Sequence, residues 1–184
     1  MTISSARAGL SPTPLPVSPA QRRLGPPTPL RLPVLRSFSA GVTELSAFHR
    51  ALMQVGLGYS NLIRLSSVIP PGATVLPDET LPADSSWGDR LYCVYAEQRT
   101  STPGEEAWAA VGWVQRLDGG GGLLVEHEGG SEGHVTEAVQ RSLADMVAEA
   151  DEAFSEPEWL VCGGRCEDQP VAALVVVPFV RAPW

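Results

Sequence analysis

A chain of 184 residues with 43% apolar content can close one sizeable core, and its net charge of −8 removes the basic face that a nucleic-acid binder carries. No apolar run is long enough to span a bilayer, and no compact apolar stretch with a cleavage site opens the chain. The expected location is the cytoplasm, where the odd set Cys93, Cys162 and Cys166 would stay reduced.

The basic residues are all arginines, 13 in number, and no lysine occurs. A lysine Schiff base to pyridoxal phosphate is therefore closed to this chain acting alone. Imine chemistry would need another carbonyl.

In chain order, residues 1–38 hold prolines at 12, 14, 16, 19, 26, 27, 29 and 33, arginines, and no acid. That composition predicts a disordered, Pro-rich arm, either an unselected extension or a basic interaction tail. The folded domain is placed at 39–184. Thr43 is a candidate N-cap for a helix to Val55, with Leu45, Phe48, Leu52 and Val55 at helical spacing and Gly56 and Gly58 as its stop.

A buried strand comes next, carried by Leu62, Ile63, Leu65, Val68 and Ile69 and ended by Pro70, Pro71 and Gly72. Residues 76–90 read as a polar connection. Strands are expected at 91–97, 107–115 and 123–128, the last two joined by the glycine run 119–122 as a hairpin turn. That run lacks the lysine of a phosphate loop. A long helix is predicted over 134–154 on the spacing of Val135, Val139, Leu143, Met146 and Phe154.

Two more strands, 157–163 and 171–179, close the domain, and the apolar Val171–Val177 run should be central. The fold class is α/β: a layered α/β sandwich of mostly antiparallel strands with two main helices. Cys162 and Cys166 flank a Gly turn without a second ligand pair, so no metal site is expected.

Ser66 and Ser67 interrupt the apolar run of the buried strand. Read alone, the pair is a strand crossing into a turn with each hydroxyl on nearby backbone. Its context is more particular. Leu45-Ser46-Ala47-Phe48-His49-Arg50-Ala51-Leu52 precedes Gly56-Leu57-Gly58-Tyr59-Ser60-Asn61-Leu62, which leads to Ser66-Ser67-Val68-Ile69-Pro70-Pro71. This resembles the pyruvoyl-dependent arginine decarboxylases, with their Leu-x-Ala-Phe-x-x-Ala-Leu helix and Gly-x-Gly-Asn-x-Asn-Leu-x-x-x-Ser-Ser-x-x-Pro-Pro run. Gly122-Leu123-Leu124-Val125-Glu126-His127-Glu128-Gly129 resembles the family strand with its catalytic glutamate.

The resemblance implies self-cleavage between Ser66 and Ser67, with the Ser67 hydroxyl attacking the Ser66 carbonyl. A covalent pyruvoyl group derived from Ser67 would cap the second fragment. It implies decarboxylation of L-arginine to agmatine through an imine, with Glu126 as the acid that protonates the carbanion and Asn61 assisting cleavage. His49, Gly58 and Ser60 fall at substrate-binding positions, and a homotrimer with sites between protomers is implied.

Each residue also has a plainer reading: Asn61 as a turn residue at strand entry, Glu126 as a solvated strand-end acid, His49 and Arg50 as a surface pair. His49 departs from the family pattern, which has an aspartate there to meet the guanidinium; histidine offers no fixed negative charge. Two alternatives stay open: the same chemistry on another amino acid, and a non-catalytic trimeric scaffold or binding module. No nucleic acid or membrane partner is expected.

Overall fold

The computed structural model describes residues 29–79 and 87–184. Two β-sheets stack face to face, and one helix packs on the outer side of each. In chain order the elements are β1 (Arg31–Ala40), α1 (Glu44–Gln54), β2 (Asn61–Arg64), β3 (Val68–Ile69), β4 (Thr74–Pro77) and β5 (Arg90–Thr100). They continue with β6 (Glu106–Gln115), β7 (Gly122–Gly129), α2 (Glu132–Ala148), β8 (Glu158–Arg165) and β9 (Val171–Ala182).

The larger sheet has the order β2-β5-β9-β1-β4 and the smaller one β3-β7-β6-β8. Pairing is antiparallel except for β1 with β4 and β2 with β5. The layered sandwich expected from the sequence is thus the fold, and β9 is its central strand.

Alternation accounts for the core. Val94, Ala96, Val111, Trp113, Leu124, Val175 and Val177 turn inward between the sheets. Leu35, Ala51, Leu52, Leu57, Leu91 and Val176 form a second layer under α1, and Ala110, Val114, Val135, Val139 and Leu143 a third under α2. Gly112 lets α2 approach: a Cβ there would lie 2.3 Å from Val139 Cγ1.

Four expectations change. Residues 31–38 belong to β1, not to the arm: Pro33 lies where β1 pairs only with β4, so its missing N–H leaves the β9 ladder intact. The remainder of that arm, residues 1–28, lies outside the described residues. Helix α1 begins at its Thr43 cap with a full capping box, yet Leu45 is 68% exposed, and Ala47, Ala51 and Leu52 are what it buries.

Helix α2 starts at Glu132 on a Ser131 cap and ends at Ala148, so Phe154 is reached by a separate bridge to Arg116. Finally, the single buried strand read over Leu62–Ile69 is two strands in two different sheets.

Candidate active site

That division creates the site. Strand β2 pairs with β5 in the larger sheet, and the Leu65 N–H still donates to the Cys93 carbonyl at 2.9 Å. Beyond the serines, β3 is in the smaller sheet, with Val68 opposite Leu123 of β7. Ser66 and Ser67 are the crossover. Ser66 is exposed, and Ser67 is half-buried with φ at +65°. A serine in the left-handed region costs about 1–3 kcal/mol and persists only where its flanks are fixed, as two sheets fix them here.

Strand β7 then supplies two groups. The Leu124 N–H donates to the Ser67 carbonyl at 2.9 Å. Glu126, two residues further and on the same face, accepts the Ser67 hydroxyl at Oε2 over 2.7 Å. A half-buried carboxylate on a serine hydroxyl is a base placed to take its proton.

The glycine turn holds the segment after the serines. Gly121 has φ at +110°, and a Cβ there would lie 2.4 Å from the Ile69 carbonyl oxygen. The Gly72 N–H donates to the Gly119 carbonyl at 3.0 Å. After the serines, Val68, Pro70, Pro71, Leu123 and Phe154, with Arg116 and Glu152, line an open groove of about 300 Å³.

The remaining candidates stand at the other end of β2, where Asn61 opens the strand, and on the segments before it. Asn61 donates its amide to the Gly88 carbonyl at 2.7 Å, and its backbone N–H donates to the Asp89 carbonyl. Neither bond reaches Ser66 or Ser67. His49 is exposed on α1, tilted against Tyr59 with ring centroids 6.3 Å apart. Tyr59 in turn stacks on Trp87 at 4.0 Å.

Gly58 makes room for Met53, whose sulfur would lie 2.2 Å from a Cβ there. The Ser60 hydroxyl is buried without a hydrogen-bond partner among the described residues. The chain therefore gathers Ser66, Ser67 and Glu126, and leaves Asn61, His49, Gly58 and Ser60 in a second cluster.

Leu124 and Trp87 escape a reading of side-chain motifs. Leu124 acts through its backbone, and Trp87 sits in a stretch that reads as a polar connection. Burial pushes the Cys93 thiol up to about 11 and raises that of half-buried Cys162 as well, which disfavours both as nucleophiles.

The family model described as "Pyruvoyl-dependent arginine decarboxylase" matches residues 34–177. A protein of that name from Thermococcus sibiricus is 32% identical over 157 residues, 82% of this chain and 94% of its own. Another, from Halobacterium salinarum, is 43% identical over 84 residues, 46% of this chain and 51% of its own. A third, from Methanocaldococcus jannaschii, is 35% identical over 109 residues, 59% of this chain and 64% of its own.

A solved pyruvoyl-dependent histidine decarboxylase aligns over 55% of this chain and 54% of its own at 19% identity, with a TM-score of 0.41, too loose a likeness to bear on the fold. A family match over most of the folded residues, with both halves of its motif meeting at Ser67 and Glu126, leads to one conclusion: the chain belongs to the pyruvoyl-dependent arginine decarboxylase family.

Proposed function

We propose that the chain cuts itself between Ser66 and Ser67 and then converts L-arginine to agmatine and CO₂. The observation that carries this is the 2.7 Å hydrogen bond from the Ser67 hydroxyl to Glu126 at a strained crossover. Glu126 takes the hydroxyl proton as Oγ adds to the Ser66 carbonyl carbon. The 66–67 peptide bond breaks as an ester forms, and the residue 67 amine is freed. Loss of the α-proton expels the Ser66 carboxylate and leaves dehydroalanine at 67. Water then displaces its nitrogen as ammonia and leaves a ketone.

The residues fit the pyruvoyl group that the family name implies. Residue 67 lies under Glu126, and the Leu124 N–H already holds the carbonyl that would stand beside the new ketone. When present, such a group supplies a carbonyl that binds an amine and draws electrons from the breaking carbon–carboxylate bond. The Leu124 N–H would steady negative charge on the neighbouring oxygen, and Glu126 would hold a proton above the carbon that needs it. Glu126 thus serves maturation as well as decarboxylation, a wider role than the sequence assigns to it.

A trimer with sites shared between copies is the assembly we infer. It is supported by the placement of the two clusters at opposite ends of β2 and by the exposed Val42, Leu45 and Met53 on and before α1. Sedimentation velocity tests it: a monomer at micromolar concentration would remove the shared site.

A second reading keeps the chemistry and changes the amino acid, favoured by His49 standing where a carboxylate is expected. Intact-mass spectrometry and CO₂ release from a panel of amino acids decide among these. Two fragments of 66 and 118 residues (184 − 66), the longer one blocked at its N-terminus, with arginine the best substrate, are expected. A full-length chain after long incubation would sink the proposal.

A further inference from the structure

The Tyr59–Trp87 stack is an unusual surface. Trp87 is 80% exposed, yet it is held: its ring lies 4.0 Å from that of Tyr59 at an 18° interplanar angle, and the Gly88 N–H donates to the Tyr59 carbonyl at 2.8 Å. A fixed indole facing water offers an electron-rich face at little further ordering cost. His49 tilts against the other partner of the stack, and the buried Ser60 hydroxyl next in the chain lacks a hydrogen-bond partner among the described residues. Both His49 and Tyr59 replace polar residues of the family motif, an aspartate and an asparagine. The two departures are neighbours in space.

We propose that the Tyr59–Trp87 stack receives the guanidinium of the substrate by planar stacking, in place of an ion pair at position 49. The inference deepens the decarboxylase reading and rests on it, including a site completed by Ser67 of another copy. The chain shows the chemistry among its own side chains. Arg64 lies over Tyr95 and Arg99 over Phe48, both at 4.2 Å from the ring centroid, and Arg90 over Trp184 at 4.8 Å. Tryptophan is the strongest such partner, and arginine uses it more often than lysine does. The overall charge of −8 suits a cationic ligand.

The test is calorimetric titration of agmatine into the full chain carrying Ser67→Ala, which binds without turnover. Adding Trp87→Ala should weaken agmatine about two- to thirtyfold, the range expected of one cation–π contact. Trp87→Phe should restore most of the loss. Met146→Ala, exposed on helix α2 over the other sheet, should change nothing. In the mature enzyme, Trp87→Ala should raise KM for arginine more than it lowers kcat. It should also hurt arginine more than its neutral analogue citrulline.

Equal agmatine affinity with and without Trp87, or no agmatine binding at all, overturns the inference. The decarboxylase reading is judged separately, by cleavage and CO₂ release from the unaltered chain. A cut, active enzyme indifferent to Trp87 removes the platform alone.

Discussion

Ser67 has two properties that a serine does not bring with it: a left-handed backbone and a carboxylate on its hydroxyl. Both are given by neighbours, so substitutions separate them. Ser67→Ala should stay full-length on a denaturing gel, because nothing remains to attack Ser66; Ser66→Ala, which keeps the carbonyl, should still cut. Two fragments from Ser67→Ala would mean another nucleophile. Glu126→Gln keeps the shape but not the base, so maturation should slow by about 10²–10⁴-fold, the usual worth of a general base. Whatever fraction matures should then decarboxylate poorly.

Glu128→Gln, exposed on the same strand, is the control, and equal losses from the two would remove the special role of Glu126. His49→Asp would restore a carboxylate beside the Tyr59 ring, and kcat/KM for arginine should rise; no change would place guanidinium recognition elsewhere. The serines and the glutamate were legible as residue types at a spacing. Their meeting was not, because the chain changes sheets at the serines and pairs β3 with β7, a long-range pairing that no local pattern records.

At the scale of elements, the glycine turn does more than reverse the chain. It is the floor on which the segment after the cut rests. Gly121→Ala adds both left-handed strain and a Cβ driven into the Ile69 carbonyl, so β3 must move. A loss of about 1–3 kcal/mol in stability is expected, together with slower cleavage, because Ser67 is held from that side. Thermal melting and a time course of cutting read the two effects; unchanged cleavage in a destabilised variant would show that the turn does not position Ser67.

The hairpin itself, the strands around it and the capped start of α1 are legible from pattern. Two elements mislead for physical reasons. The β1 stretch carries a proline and two arginines and so resembles the tail before it, yet Arg31 and Arg36 flank a buried run that holds Leu32, Val34 and Leu35. In α1 the leucine at 45 obeys helical spacing but faces out, because the helix lies on small residues, Ala47 and Ala51.

For the whole molecule, the position of the cut relative to the sheets decides what cutting does. A thiol as deep as Cys93, pushed up to about 11 from 9.0, makes folding disfavour ionisation. Its contribution of about 2–3 kcal/mol is intact below about pH 9 and is lost as pH rises toward about 11. Cys93→Ala should therefore flatten the alkaline fall in denaturant midpoint, and an equally steep fall would assign it to other groups.

A cut between Ser66 and Ser67 would spare this core. Residues 1–66 contribute β1, α1 and β2, and β1 lies between β9 and β4 while β2 is paired with β5. Among the described residues no ladder crosses the 66–67 bond itself, and every strand pair of the first fragment is made with the second. Breaking one exposed link removes chain connectivity but little buried surface. The two fragments should therefore co-elute as one particle in native buffer and separate only in denaturant. Once cut, the protein should also melt at a temperature that rises with its concentration, as two-chain unfolding requires. Elution of the shorter fragment alone under native conditions would show that the sheets do not hold it.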